Sequence, residues 1–107
     1  MYQNSYNKNW YSMTDTVVVK TLCLSIKQMR LNKNMSQDEL AERSGVSRIT
    51  ISRMESGKAI NLITFVQLLR ALENLDLLNY LNIEPEISPM QVMEARAKLR
   101  KKASPKS

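Results

Sequence analysis

The side chains with most to offer chemically lie between Ser36 and Lys58, in the run Ser36-Gln-Asp-Glu-Leu-Ala-Glu-Arg-Ser-Gly-Val-Ser-Arg-Ile-Thr-Ile-Ser-Arg-Met-Glu-Ser-Gly-Lys58. Hydroxyl, carboxamide and guanidinium groups dominate it, and these bind by hydrogen bonding rather than break bonds. The whole chain contains no His, so the commonest general base and metal ligand are missing. The single Cys23 has no second cysteine to pair with. Nor is there a nucleophile–base pair, a metal-ligand cluster or a phosphate-cradling glycine loop. The chemistry expected here is recognition: a binding protein, not an enzyme, with no catalytic residue, no metal and no cofactor.

The same run also specifies the elements that must carry these groups. Ser36 followed by Glu39 is a capping box, in which the hydroxyl accepts from the third helical N–H and the carboxylate reaches back. Leu40 and Ala41 face inward, and Ala41 is small where a second helix must cross closely. Gly45 supplies a left-handed stop, Val46 plugs the gap between the helices, and Ser47 starts the next helix with Ile51 and Met54 inward. Two short helices joined by a tight turn result. One can cross a phosphate backbone while the other enters a groove about 12 Å wide.

Around this pair the periodicity predicts further helices. Asp15 or Thr14 caps a first helix with Val19, Leu22, Ile26 and Met29 recurring, ended by Asn32-Lys33-Asn34. Asn61 or Thr64 opens a fourth, with Phe65, Leu68, Leu69 and Leu72 as its apolar stripe. Asp76 caps a short fifth containing Leu77, Leu78, Tyr80 and Leu81. Ser88-Pro-Met-Gln91 is a good start for a helix over about 89–102. No strand is expected. The fold class is all-α: a five-helix domain with a C-terminal basic helical tail, organised as a flexible N-terminal arm (1–13), the domain (14–82), and linker plus basic helix or tail (83–107).

Charge and composition fit. The chain has 107 residues, a formal net charge of +6 and only two Gly and three Pro, which favours one small helical domain attracted to polyanions. Residues 94–107 hold six Lys/Arg against Glu94, a net +5, which leaves +1 for everything before them. The excess positive charge therefore sits in the tail, as in arms that add salt-sensitive affinity without sequence preference. No apolar run is long enough to span a bilayer, and the N-terminus lacks the order of a signal peptide. A cytoplasmic, nucleoid-associated protein without a membrane partner is expected.

On S-Q-x-E-L-A, G-V-S and I-S-R-x-E-x-G-K in this spacing, the stretch of about Leu22–Leu81 resembles the lambda-repressor/Cro (Xre) helix-turn-helix family. The resemblance implies roles. Arg48, Ile49, Thr50, Ser52 and Arg53 take the groove-facing, base-contacting positions. Each arginine is able to pair bidentately with a guanine, and Ile49 or the Thr50 methyl to pack on a thymine methyl. Gln37, Arg43, Ser47, Lys58 and Asn61 fall where phosphates are touched. For Ser47 a helix cap is the competing role, and for Arg43 plain solvation. Arg30 and Glu55 match a structural ion pair. Two-fold proteins of this family bind operators with two half-sites. Leu77, Leu78, Tyr80 and Leu81, too apolar for an exposed short helix, are the expected dimer interface, with closure of the monomer's own core as the competing role.

A narrower likeness lies in Leu68-Leu-Arg-Ala-Leu-Glu-Asn-Leu-Asp-Leu-Leu, Ser88-Pro-Met-Gln-Val-Met-Glu and Arg100-Lys-Lys-Ala-Ser. These resemble Xre regulators found beside HipA-like kinase toxins, which implies an autoregulatory, HipB-like antitoxin with a HipA-like kinase as partner. A stand-alone phage or mobile-element repressor, or a restriction-modification controller, needs no such partner. A protein-interaction module without DNA affinity reuses the fold for another purpose.

Overall fold

Helix caps mark out the architecture. The computed structural model describes residues 9–103, and among these every regular element is helical. A 3-10 turn at Trp10–Ser12 precedes α1 (Asp15–Asn32), α2 (Gln37–Ser44), α3 (Arg48–Glu55) and α4 (Leu62–Ala71). A 3-10 helix at Leu75–Leu81 and then α5 (Pro89–Ala103) follow. The expected arm at 1–13 is described only from residue 9, and residues 104–107 of the expected tail lie outside the described part. No described helix is long and apolar enough to cross a membrane.

Each start is set by a side chain that accepts from an otherwise unpaired backbone N–H. Thr14, not Asp15, caps α1 through Val17 N–H. Ser36 Oγ accepts from Glu39 N–H at 3.0 Å while the Glu39 carboxylate accepts from Ser36 N–H, the expected capping box. Ser47 caps α3 through Thr50 N–H, and Asn61, rather than Thr64, caps α4 through Thr64 N–H at 2.8 Å. Gly45 ends α2 in the left-handed region at φ 75°, and its N–H donates to Ala41 C=O. Gly57, at φ 99°, closes α3, and a Cβ there would meet Lys20 Cγ at 3.0 Å.

Helices of eight residues do not persist alone in water, so α2 and α3 depend on what they bury. Leu40, Ile51, Met54, Leu68 and Leu72 are fully enclosed. They form one core with Cys23, Ile26, Met35 and Val46, against which Ala41 and Phe65 pack. Cys23 adds a polar tie, its thiol donating to Lys58 C=O at 3.5 Å. Burial pushes that thiol's pKa up, which favours the neutral form.

Two expectations are corrected. Leu22 is about half-exposed, and Cys23 takes the inward place beside Ile26. The expected fifth helix, capped by Asp76, is a 3-10 helix that already begins at Leu75, with Asp76 in its first turn. The chain enters it through Glu73, at φ 57°, with Asn74 N–H donating back to Leu69 C=O. A short connector of this kind is where 3-10 bonding is commonest.

The described residues fall into two compact units that divide between Leu77 and Leu78. In the second, Ser88 Oγ accepts from Gln91 N–H and the Gln91 carboxamide accepts from Ser88 N–H, with Pro89 in the first turn. α5 thus starts on the reciprocal cap that its sequence predicts.

Candidate nucleic-acid interface

Positions 48, 49, 52 and 53 recur at helical spacing, so their side chains share one face of α3. Arg48, Ile49, Ser52 and Arg53 are all exposed there, and they line one shallow hollow of about 360 Å³. Ile49 is 65% exposed between the two arginines. The opposite face carries Ile51 and Met54 into the core. An eight-residue helix is thereby split into a buried stripe and a cationic face with an aliphatic side chain at its centre.

Thr50 lies at the margin. It is half-buried, and Ser47 Oγ both accepts from its backbone N–H and donates to its Oγ1 at 2.9 Å. Thr50 and Arg53 border a second hollow of about 450 Å³ together with Lys58, Asn61 and Thr64. Lys58 and Asn61 are exposed beside α3. The Asn61 carboxamide oxygen is committed to its cap, so its NH2 carries the donors that a phosphate would take. Arg43 is exposed in the last turn of α2. The structure thus groups Lys58 and Asn61 with Arg53, while Ser47 spends its hydroxyl on capping.

Beneath this surface lies a buried ion pair. Arg30 and Glu55, both under 10% exposed, meet side-on: Nε donates to Oε2 at 2.7 Å and Nη2 to Oε1 at 2.8 Å. Arg30 Nη1 also donates to Met35 C=O at 2.7 Å. The pair predicted between these residues is present. Its extension was not foreseen: Gln37 Nε2 donates to Glu55 Oε1 at 2.9 Å. The side chain expected on a phosphate is therefore anchored from behind by the carboxylate at the end of α3. Nothing in the spacing of Gln37 and Glu55 marks that contact, because it depends on how α2 and α3 cross.

The electrostatics follow from the hydrogen bonds. The hydrogen bond to Glu55 raises the Arg30 pKa, outweighing the opposing effect of burial. Burial pushes the Glu55 pKa upward. Hydrogen bonds from Arg30 and Gln37, with the positive charges of Arg30 and Lys27, more than reverse this and leave it lowered. Both groups stay ionised at neutral pH.

An exposed helix N-terminated by a tight turn, held by a preceding helix and faced with arginines, defines a helix-turn-helix protein. The family model described as helix-turn-helix matches residues 26–80, about half of the chain, and the chain belongs to this family, of the lambda-repressor/Xre type. It is a DNA-binding regulator of transcription. No curated protein matches it.

Removing one partner of a buried, hydrogen-bonded ion pair leaves an uncompensated charge. Glu55→Ala is expected to cost about 3–5 kcal/mol in urea unfolding at pH 7. Arg30→Met/Glu55→Leu, which removes both charges, is expected to be far less destabilising than the sum of the single changes. Because the folded pKa of Glu55 lies below its unfolded value of about 4.3, its contribution is complete above that pH and is lost as pH falls through the folded value. The double variant is accordingly expected to lose less stability than the wild type between pH 7 and pH 3.

Proposed function

We propose that the protein is a homodimeric repressor that places α3 of each protomer in the major groove of one operator half-site. The observation that carries this reading is the α3 face itself. Two guanidiniums flank an exposed isoleucine, a combination with no evident use in a monomer in water. In a groove it matches guanine O6/N7 and a thymine methyl. Arg48, Ile49, Ser52 and Arg53 contact base edges, with Thr50 at the edge of the footprint. Gln37, Arg43, Lys58 and Asn61 contact phosphates, and Ser47 acts there only through the α3 cap.

The exposed apolar side chains of the 3-10 helix support self-association. Tyr80 is 84% exposed, Leu81 is exposed and Leu77 is about half so, and with Leu78 they offer a second copy a surface to bury. For the partner, the capped start of α5 and its exposed Met90 and Met93 suit a docking helix. We infer that the protein represses its own operon as the antitoxin of a HipA-like kinase, in the cytoplasm at the nucleoid. The basic tail adds sequence-independent attraction to DNA.

Selection of bound duplexes from a random pool tests the reading head. Arg48→Ala and Arg53→Ala are each expected to lose about 1–3 kcal/mol on the selected site and to relax one base position. Wild-type selectivity in either variant would remove that residue from the base-contacting set. Truncation after Glu94 is expected to shallow the dependence of log K on log salt while leaving the preferred sequence unchanged. Co-purification of the untagged neighbouring gene product with the tagged protein is the expected sign of a toxin partner. Operator binding with no such companion would favour a stand-alone repressor.

A further inference from the structure

Arg48 occupies an unusual place for a cation. It is the first residue of α3, at the positive end of the helix dipole, where a positive charge is disfavoured. Its guanidinium does not point freely into solvent: Nε lies 3.3 Å from Oδ1 of Asp38, in the first turn of α2. Both side chains are largely exposed, at 64% and 75%. An ion pair this wet contributes little to stability, so its geometry matters more than its energy.

A guanidinium has two edges able to make paired hydrogen bonds, one formed by Nε with an Nη and one by the two Nη groups. Asp38 lies on the Nε side, in charge contact rather than in a formed hydrogen bond. The edge that remains is the Nη1/Nη2 fork, whose parallel donors match guanine O6 and N7. A carboxylate in the first turn of α2 suits the helix dipole, but beside a DNA-facing surface it also repels phosphates. Held against Arg48, it restricts a side chain that is long and rotationally free.

We propose that Asp38 is a positioning residue for base recognition, fixing Arg48 through Nε so that its outer fork addresses one guanine of each half-site. This rests on the reading that Arg48 contacts a base. Asp38 thereby trades overall attraction to DNA for discrimination at a single base pair. A role confined to the charge balance of α2 would instead alter affinity for all duplexes alike.

The full-length protein and its Asp38→Ala, Arg48→Ala and Asp38→Ala/Arg48→Ala variants are compared on the selected duplex, on duplexes substituted at each position, and on an unrelated duplex. Urea unfolding confirms that each variant is folded. Asp38→Ala is expected to bind the unrelated duplex more tightly than the wild type does. At the position relaxed by Arg48→Ala, it is expected to reduce the preference for guanine about twofold to fivefold. In the Arg48→Ala background, the further change of Asp38 is expected to leave base preference where it was. If Arg48→Ala relaxes a position and Asp38→Ala does not, the positioning role is overturned and the reading head stands. If Arg48→Ala relaxes nothing, the base contact of Arg48 falls and the role of Asp38 falls with it.

Discussion

The Arg30–Glu55 ion pair is the constraint on which the reading surface depends. Two full charges out of water are tolerated only when nearly every donor and acceptor is used. Here Nε, Nη2 and Nη1 of Arg30 are all engaged, and Glu55 Oε1 accepts from both Arg30 and Gln37. Those partners come from α1, from the turn after it, from the first residue of α2 and from the last residue of α3. A shift of any one of them breaks a buried hydrogen bond. An apolar core of similar volume holds helices together equally well, but it is more tolerant of sliding. The ion pair is therefore expected to contribute less to the strength of the association than to its register.

Register is what a helix-turn-helix needs. The backbone-crossing helix and the groove-entering helix must hold a fixed angle, or side chains on the second miss base edges by an ångström or more. Ser36, Gly45 and Ser47 set where α2 and α3 begin and end, and Leu40, Ile51 and Met54 bury their inner faces. The Arg30 network then fixes the end of α3 relative to the start of α2. What remains outside is a short, rigid helix whose exposed residues answer to no packing demand. Gln37 joins the two levels, since its side chain belongs to the buried network yet starts the helix expected to lie across phosphates.

Much of this was legible from residue order because caps and left-handed stops are local. A serine three residues before a glutamate, or a glycine at a helix end, satisfies backbone groups within its own turn. The Ser36 box, the Gly45 stop, the Ser47 cap and the Ser88–Gln91 box were readable for that reason. α1 was harder, because aliphatic residues lie on more than one of its faces. Val17, Leu24 and Leu31 are partly exposed, so periodicity alone did not exclude Leu22 from the core or select Cys23. The 3-10 helix at Leu75–Leu81 followed from a left-handed Glu73 that no residue type announces. The contacts Gln37–Glu55 and Asp38–Arg48 join residues on different helices, and only the crossing of α2 and α3 brings them together.

Charge is unevenly divided along the chain. Residues 94–107 carry +5 of the net +6, so on the proposed reading discrimination falls to a nearly neutral folded unit and bulk attraction to the basic end of the chain. The measurement that tests this most directly is NMR mapping of the backbone amides and arginine Nε–H groups of the labelled full-length protein, titrated with its selected duplex at moderate salt. The largest perturbations are expected on Arg48–Arg53, with a second cluster at the start of α2 and at Lys58–Asn61. Residues around Val17, Leu24 and Leu31 are expected to stay unchanged. Perturbations confined to α5 and the basic tail, with α3 silent, would contradict this reading.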